Sequence, residues 1–92
     1  MLFEWDSDKD ESNQQKHGIS FETASRIFYD PFLITVQDND NEEQRFKSIG
    51  SVNGIHVLMV IHTYRTDDGL EVIRIISARK ISKGEVKKYG YR

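Results

Sequence analysis

The chain has 92 residues, no cysteine, a formal net charge of −2, and 37% apolar against 30% charged residues. That length makes a single domain, 1–92, with a small core, and the composition belongs to a folded chain and not a disordered one. It excludes a disulfide, a thiolate nucleophile and a cysteine metal site. The start "MLFEWDSDKDE" lacks the order of a signal peptide, and the longest apolar run, "VLMVI" at 57–61, is far too short to span a bilayer. A cytoplasmic protein with no membrane association is the expectation.

Charge is divided unevenly. Residues 1–45 hold 11 acidic and 4 basic side chains (−7), and residues 46–92 hold 4 acidic and 9 basic (+5). A slightly acidic chain does not bind nucleic acid through its overall field, but a local basic face can hold phosphate. An ordinary solvated distribution explains the same asymmetry.

In chain order, "SDKD" at 7–10 matches a capping pattern with Ser7 as cap. It predicts a polar helix ending at Gly18, the residue type that most easily takes the left-handed C′ conformation. Ser20 caps a second helix in which Phe21, Ala24, Ile27 and Phe28 recur at helical spacing, and Asp30-Pro31 stops it. The period then changes to two. "FLITVQ" reads as a strand with Phe32, Ile34 and Val36 on one face, and "DNDNE" at 38–42 as a loop. "EQRFKSIG" is a second strand placing Glu43, Arg45 and Lys47 on one face. "IHVLMVIHTYR" at 55–65 is a central strand, and "LEVIRIISA" at 70–78 follows the turn signal "TDDG". With a two-residue Asp68-Gly69 turn, Thr63 opposes Arg74 and Ile61 opposes Ile76. Ser82 and Glu85 form a capping box, with Ile81 and Val86 as a staple, for a last helix that buries Val86 and Tyr89. The order α-α-β-β-β-β-α gives an α+β domain: two N-terminal helices, a four-stranded mostly antiparallel sheet with helices on one face, and a C-terminal helix.

No glycine-rich phosphate loop is present, and His56 and His62, six residues apart on one strand, are too distant to share a metal. Neither a metal nor a cofactor is expected. Cationic groups do gather at strand ends, where "HTYR" and "SARK" close the third and fourth strands. In a hairpin, Arg65 and Arg79 then sit at opposite ends, an arrangement that suits an extended polyanion better than a small metabolite. Each residue also has a plain structural reading. Arg65 and Arg79 can pair with nearby acids, and Arg45 beside Glu43 can be simple charge alternation. His17 is favoured at a helix C-terminus by the macrodipole. Trp5 and Phe3 read as core anchors, and His62 as a satisfied buried histidine.

Taken together, "FEWDSDKDESNQQKHGISFETASRIFYDP" (3–31), "EEQRFKSIG" (42–50), "HTYR" (62–65) and "IRIISARKISKGEVKKY" (73–89) closely resemble the BrnT-type (DUF497) toxins of bacterial type II toxin–antitoxin modules. The resemblance covers nearly the whole chain in order. It implies a RelE/ParE-like fold and a ribonuclease that cuts RNA without metal or cofactor, inhibiting translation and growth. It also implies a cognate antitoxin carrying a DNA-binding segment, so that operator DNA is met only through the antitoxin. Carried over by motif, His17 of K-H-G is a proton-transfer group, because an imidazole titrates near neutrality. Arg65 of T-x-R and Arg79 of S-A-R are phosphate or transition-state stabilisers. Glu43, in the segment matching E-x-x-R, is a base or an orienter of Arg45. Lys16, Arg45, Thr63 and Lys80 are RNA contacts. The chain departs from the family at Ser7, where many members have proline, in the absence of a loop histidine before the second strand, and at Gly90, where a glutamate is usual. A non-catalytic RNA- or antitoxin-binding module of the same fold is the alternative.

Overall fold

The computed structural model describes residues 1–38, 43–54 and 56–91. In chain order they form β1 (Leu2–Glu4), α1 (Ser7–His17), α2 (Phe21–Ser25), a 3₁₀ turn (Arg26–Tyr29), β2 (Ile34–Asp38), β3 (Arg45–Val52), β4 (His56–Asp67), β5 (Leu70–Lys80) and α3 (Lys83–Lys88). The sheet order is β1-β5-β4-β3-β2, antiparallel throughout except for β1, which runs parallel to β5. The α+β class expected from the sequence holds.

The sheet has five strands and not four. Leu2–Glu4 is too short to show a period, and its place is fixed by pairing with Val72–Arg74. Helices also cover both faces and not one. Ile19, Phe21, Ala24, Ile27 and Phe28 bury themselves against Leu58, Val60, Ile73, Ile75 and Ala78 on one face. Val86, Tyr89 and the buried Tyr91 pack against Ile49 and Met59 on the other. Gly50 lets the 3₁₀ turn lie directly on β3: a Cβ there would meet the Ile27 Cβ and carbonyl oxygen at 3.0 Å.

The caps explain where the helices begin and end. Asp6, not Ser7, caps α1; its backbone is extended and its Oδ1 accepts from the Asp8 and Lys9 N–H groups. Gly18, at φ 72°, closes α1 in the left-handed conformation. Ser20 caps α2, and Ser82 with Glu85 forms the expected capping box on α3. Val86 and Tyr89 are half-buried, not buried. Phe32 is 58% exposed in a turn, because Asp30 Oδ1 takes its N–H and holds the chain out of the strand. Glu43 lies in a bend before β3 and shares no strand face with Arg45 and Lys47. Of the loop expected at 38–42, only Asp38 falls within the described residues, and it ends β2; Ile55, expected to start the third strand, falls outside them.

The register of β4 and β5 holds the departure that matters most. Thr63 opposes Arg74 as the two-residue turn requires, but Ile61 opposes Ser77, not Ile76. Ile76 is an extra residue, a β-bulge, and every side chain beyond it changes face.

Candidate functional site

Without the bulge, Arg74 and Arg79, five residues apart, would point to opposite faces of the sheet. With it they share one. Arg74 is level with Thr63 and Arg79 with Met59, and Thr63 and Met59 lie on the same face of β4. Arg65, two residues beyond Thr63, joins them, as do Lys47, paired with Ile61, and Arg45. This face is the one that α3 covers at one end. Arg65 lies level with Val72 and Arg79 with Met59, six residues back along β4, so the two are separated by roughly 20 Å. The two arginines are aligned but not clustered.

Each is held by a carboxylate. Glu4 accepts from Arg65 Nε (2.7 Å) and Nη2 and from Arg74 Nη1 (2.9 Å). These bonds, Arg65's first, hold the Glu4 carboxyl down to about 2. Arg79 donates Nη1 and Nη2 to the two oxygens of Glu85 at 2.9 and 2.7 Å, which likewise keeps Glu85 at about 2. Such fork-to-fork pairs fix a guanidinium plane while leaving donors over: among the described residues, Nη1 of Arg65 and Nε of Arg79 have no carboxylate partner. Arg45 makes a long contact to the exposed Glu43, at 3.8 Å, and among the described residues its buried Nε has no hydrogen-bond partner. Thr63 is buried between these cations.

His17 and Lys16 reach the same strand from its edge. β1 pairs only with Val72–Arg74, so β5 beyond the bulge has a free edge. Asn13 of α1 closes it like a strand residue, accepting from the Ala78 N–H (3.1 Å) and donating to the Ala78 carbonyl (2.9 Å). Beside that contact lies a cavity of about 190 Å³ lined by Lys9, Lys16, His17, Ile76 and Ser77. His17, half-buried at the end of α1, thus faces the bulge, and Ser77 is two residues before Arg79 on one strand face. Lys80 is exposed at the end of β5.

The structure therefore brings His17 and Lys16 together at the cavity beside the bulge, with Arg79 outside that lining and bonded to Glu85, and it sets Arg65, Arg45 and Thr63 on one sheet face toward the hairpin end. It leaves Glu43 outside both groups and Lys80 beyond them. Sequence reading missed Glu4, Arg74 and the second role of Glu85. Glu4 stands in the F-E-W-D string, but only the parallel pairing of β1 brings it to Arg65 and Arg74. His62 is fully buried on the opposite face, ringed by Phe28, Phe46 and Tyr64, with Nε2 bonded to Ser48 at 2.7 Å and Nδ1 unpartnered. Among the described residues no three His, Asp or Glu side chains gather as metal ligands, and no helix is long and apolar enough to cross a membrane.

Comparison with known proteins finds a family model and solved structures similar to this chain. The family model described as "Ribonuclease toxin, BrnT, of type II toxin-antitoxin system" matches residues 5–85. The crystal structure of the Brucella abortus ribonuclease toxin BrnT superposes with a TM-score of 0.66 at 23% identity, covering 90% of this chain and 100% of that one. No curated protein matches.

Proposed function

The chain belongs to the BrnT family of ribonuclease toxins of type II toxin–antitoxin systems, and we propose that it cuts RNA by metal-independent transesterification at the bulge of β5. The observation that supports this reading is the face change at Ile76. It sets Arg79 on the face of Arg74 and Arg65 and, at the same point, turns Ser77 toward the cavity of His17 and Lys16.

RNA carries its own nucleophile, the ribose 2′-OH. In the proposed reaction this oxygen attacks phosphorus and loses its proton, the P–O5′ bond breaks, and the 5′-oxygen leaves as a hydroxyl once protonated. The products are a 2′,3′-cyclic phosphate and a 5′-OH end. His17 handles a proton; Arg79, with its plane fixed by Glu85, stabilises the charge gathering on the phosphoryl oxygens. Arg65, Arg45, Thr63 and Lys16 hold the flanking backbone. Glu43, exposed and off the strand, is left as an orienter of Arg45. A cognate antitoxin with its own DNA-binding segment would silence the toxin by covering this face, with a buried interface of about 1,600 Å² or more. Growth and translation arrest follow from unbound toxin in the cytoplasm.

A second reading has its own support. Both principal arginines are already engaged by carboxylates, as in a fold that binds RNA or antitoxin without cutting. Incubating purified protein with a defined RNA in EDTA separates the two. Cleavage leaving cyclic phosphate ends, lowered at least about 100-fold in His17→Ala and Arg79→Ala at unchanged solubility, is expected. No cleavage with or without added divalent metal or translating ribosomes favours the binding module, and equal cleavage by all three proteins refutes the site.

A further inference from the structure

Beyond the end of β5 the molecule carries a second set of cations that the proposed chemistry does not use. A cavity of about 310 Å³ opens between the α1–α2 joint, α2 and the ends of β3, β4 and β5, lined by Gly18, Thr23, Arg26, Asn53, His56 and Lys80 among others. His56 and Lys80 are shared with a neighbouring cavity of about 290 Å³ that adds Lys83. On the other side, the His17–Gly18 peptide separates the first cavity from the one holding Lys9, Lys16 and His17. Among the described residues, seven basic side chains line these three cavities and no carboxylate does, in a chain with more acidic than basic residues. Asp30 lines an adjoining cavity that shares Arg26 and Asn53, where its carboxylate is engaged by Ser51, Phe32 and Tyr91. Arg26, His56 and Lys80 are exposed and, among the described residues, make no ion pair, whereas Arg65, Arg74 and Arg79 are all tied to Glu4 or Glu85.

We propose that this cleft, with Arg26 and Lys80 as its principal contacts and His56 between them, is a phosphate track for single-stranded RNA that leads from the His17 cavity over the end of the sheet. Unpaired cations offer full charge to a phosphate without displacing an internal partner. Arg26 and Lys80 meet phosphates as charges, and the polar Thr23 and Asn53 beside them can hydrogen-bond a sugar–phosphate backbone. The track thus supplies affinity without sequence preference. It rests on the ribonuclease reading only in the identity of its ligand.

The test uses a fluorescent, fully 2′-O-methylated single-stranded RNA, which lacks the nucleophile and so reports binding alone. Wild type, Arg26→Gln/Lys80→Gln and, as an equal charge loss elsewhere, Lys87→Gln/Lys88→Gln are compared by anisotropy over a salt series. The cleft variant is expected to bind at least about tenfold more weakly, with the slope of log K against log salt reduced by about 1.4, close to 0.7 for each lost contact. The α3 variant is expected to match wild type. Equal weakening of both variants, or none in the cleft variant, overturns the track, as does a cleft variant that loses only its hold on the antitoxin. Cleft-dependent binding by a wild type that cuts no unmodified RNA, even with divalent metal or translating ribosomes added, sustains the track while refuting the nuclease. Cutting by wild type with unaltered cleft-variant binding does the reverse.

Discussion

Asn13 shows how one side chain can set the site without touching substrate. It is buried in an otherwise solvated helix, and its amide makes three bonds, to the Ile19 carbonyl and to both backbone groups of Ala78. Asn13→Leu keeps the branched shape, with somewhat more bulk, but leaves an N–H and two carbonyls unpaired, each costing about 1–3 kcal/mol. A loss of about 3 kcal/mol in urea unfolding, with m unchanged, is expected. A change under about 0.5 kcal/mol would mean that water replaces the amide. Nothing in "DESNQQKH" separates Asn13 from its polar neighbours, since its role exists only because β1 stops short and leaves the β5 edge bare. Arg65 and Arg79 were legible as strand-end cations, but their partners were not. Glu4 comes to Arg65 from 61 residues away.

At the scale of elements, what depends on neighbouring residues could be read and what depends on pairing could not. The Gly18 end of α1, the Ser20 cap, the Asp68-Gly69 turn and the Ser82–Glu85 box each use residues a few positions apart, so composition exposes them. β1 and the bulge at Ile76 depend on distant strands, and "VIRIISARK" looks regular throughout. The box also does more than begin a helix, because Glu85 closes it and at the same time holds Arg79. Two substitutions separate these roles. Ser82→Ala breaks the cap alone and is expected to cost about 1 kcal/mol while leaving RNA cleavage at the wild-type rate. Glu85→Ala breaks the cap and also releases the Arg79 plane, so kcat should fall well below that of Ser82→Ala at equal folded fraction. Equal rates in the two variants would show that the orientation of Arg79 is immaterial.

For the whole molecule, a domain this small has a narrow stability margin, and a few titrating groups decide its response to acid. His62 and the paired carboxylates act in different pH windows. Burial pushes His62 down to about 4 from its ordinary 6.5, so on acidification the unfolded chain takes up this proton first. Its neutral ring contributes fully above pH 6.5, and that contribution drains away between 6.5 and 4, by about 3 kcal/mol at the lower end. Glu4 and Glu85, held at about 2 against 4.5, act in the same direction but in a lower window. Their stabilisation is intact above pH 4.5 and is lost as the pH falls toward 2. Asp30 adds to the same lower window: burial raises its carboxyl, but bonds from Tyr91, Ser51 and the Phe32 N–H outweigh that and leave it below the usual range. Acid unfolding is therefore expected to begin near pH 6, while every carboxylate pair is still intact. His62→Gln, which keeps a hydrogen-bonding group toward Ser48 but cannot titrate, should lower stability at pH 7 and remove the decline between 6.5 and 4.5. Urea midpoints at pH 7, 5.5 and 4.5 for both proteins decide the matter. A flat wild-type profile over that range would mean that the unpartnered Nδ1 accepts a proton inside the fold at little cost.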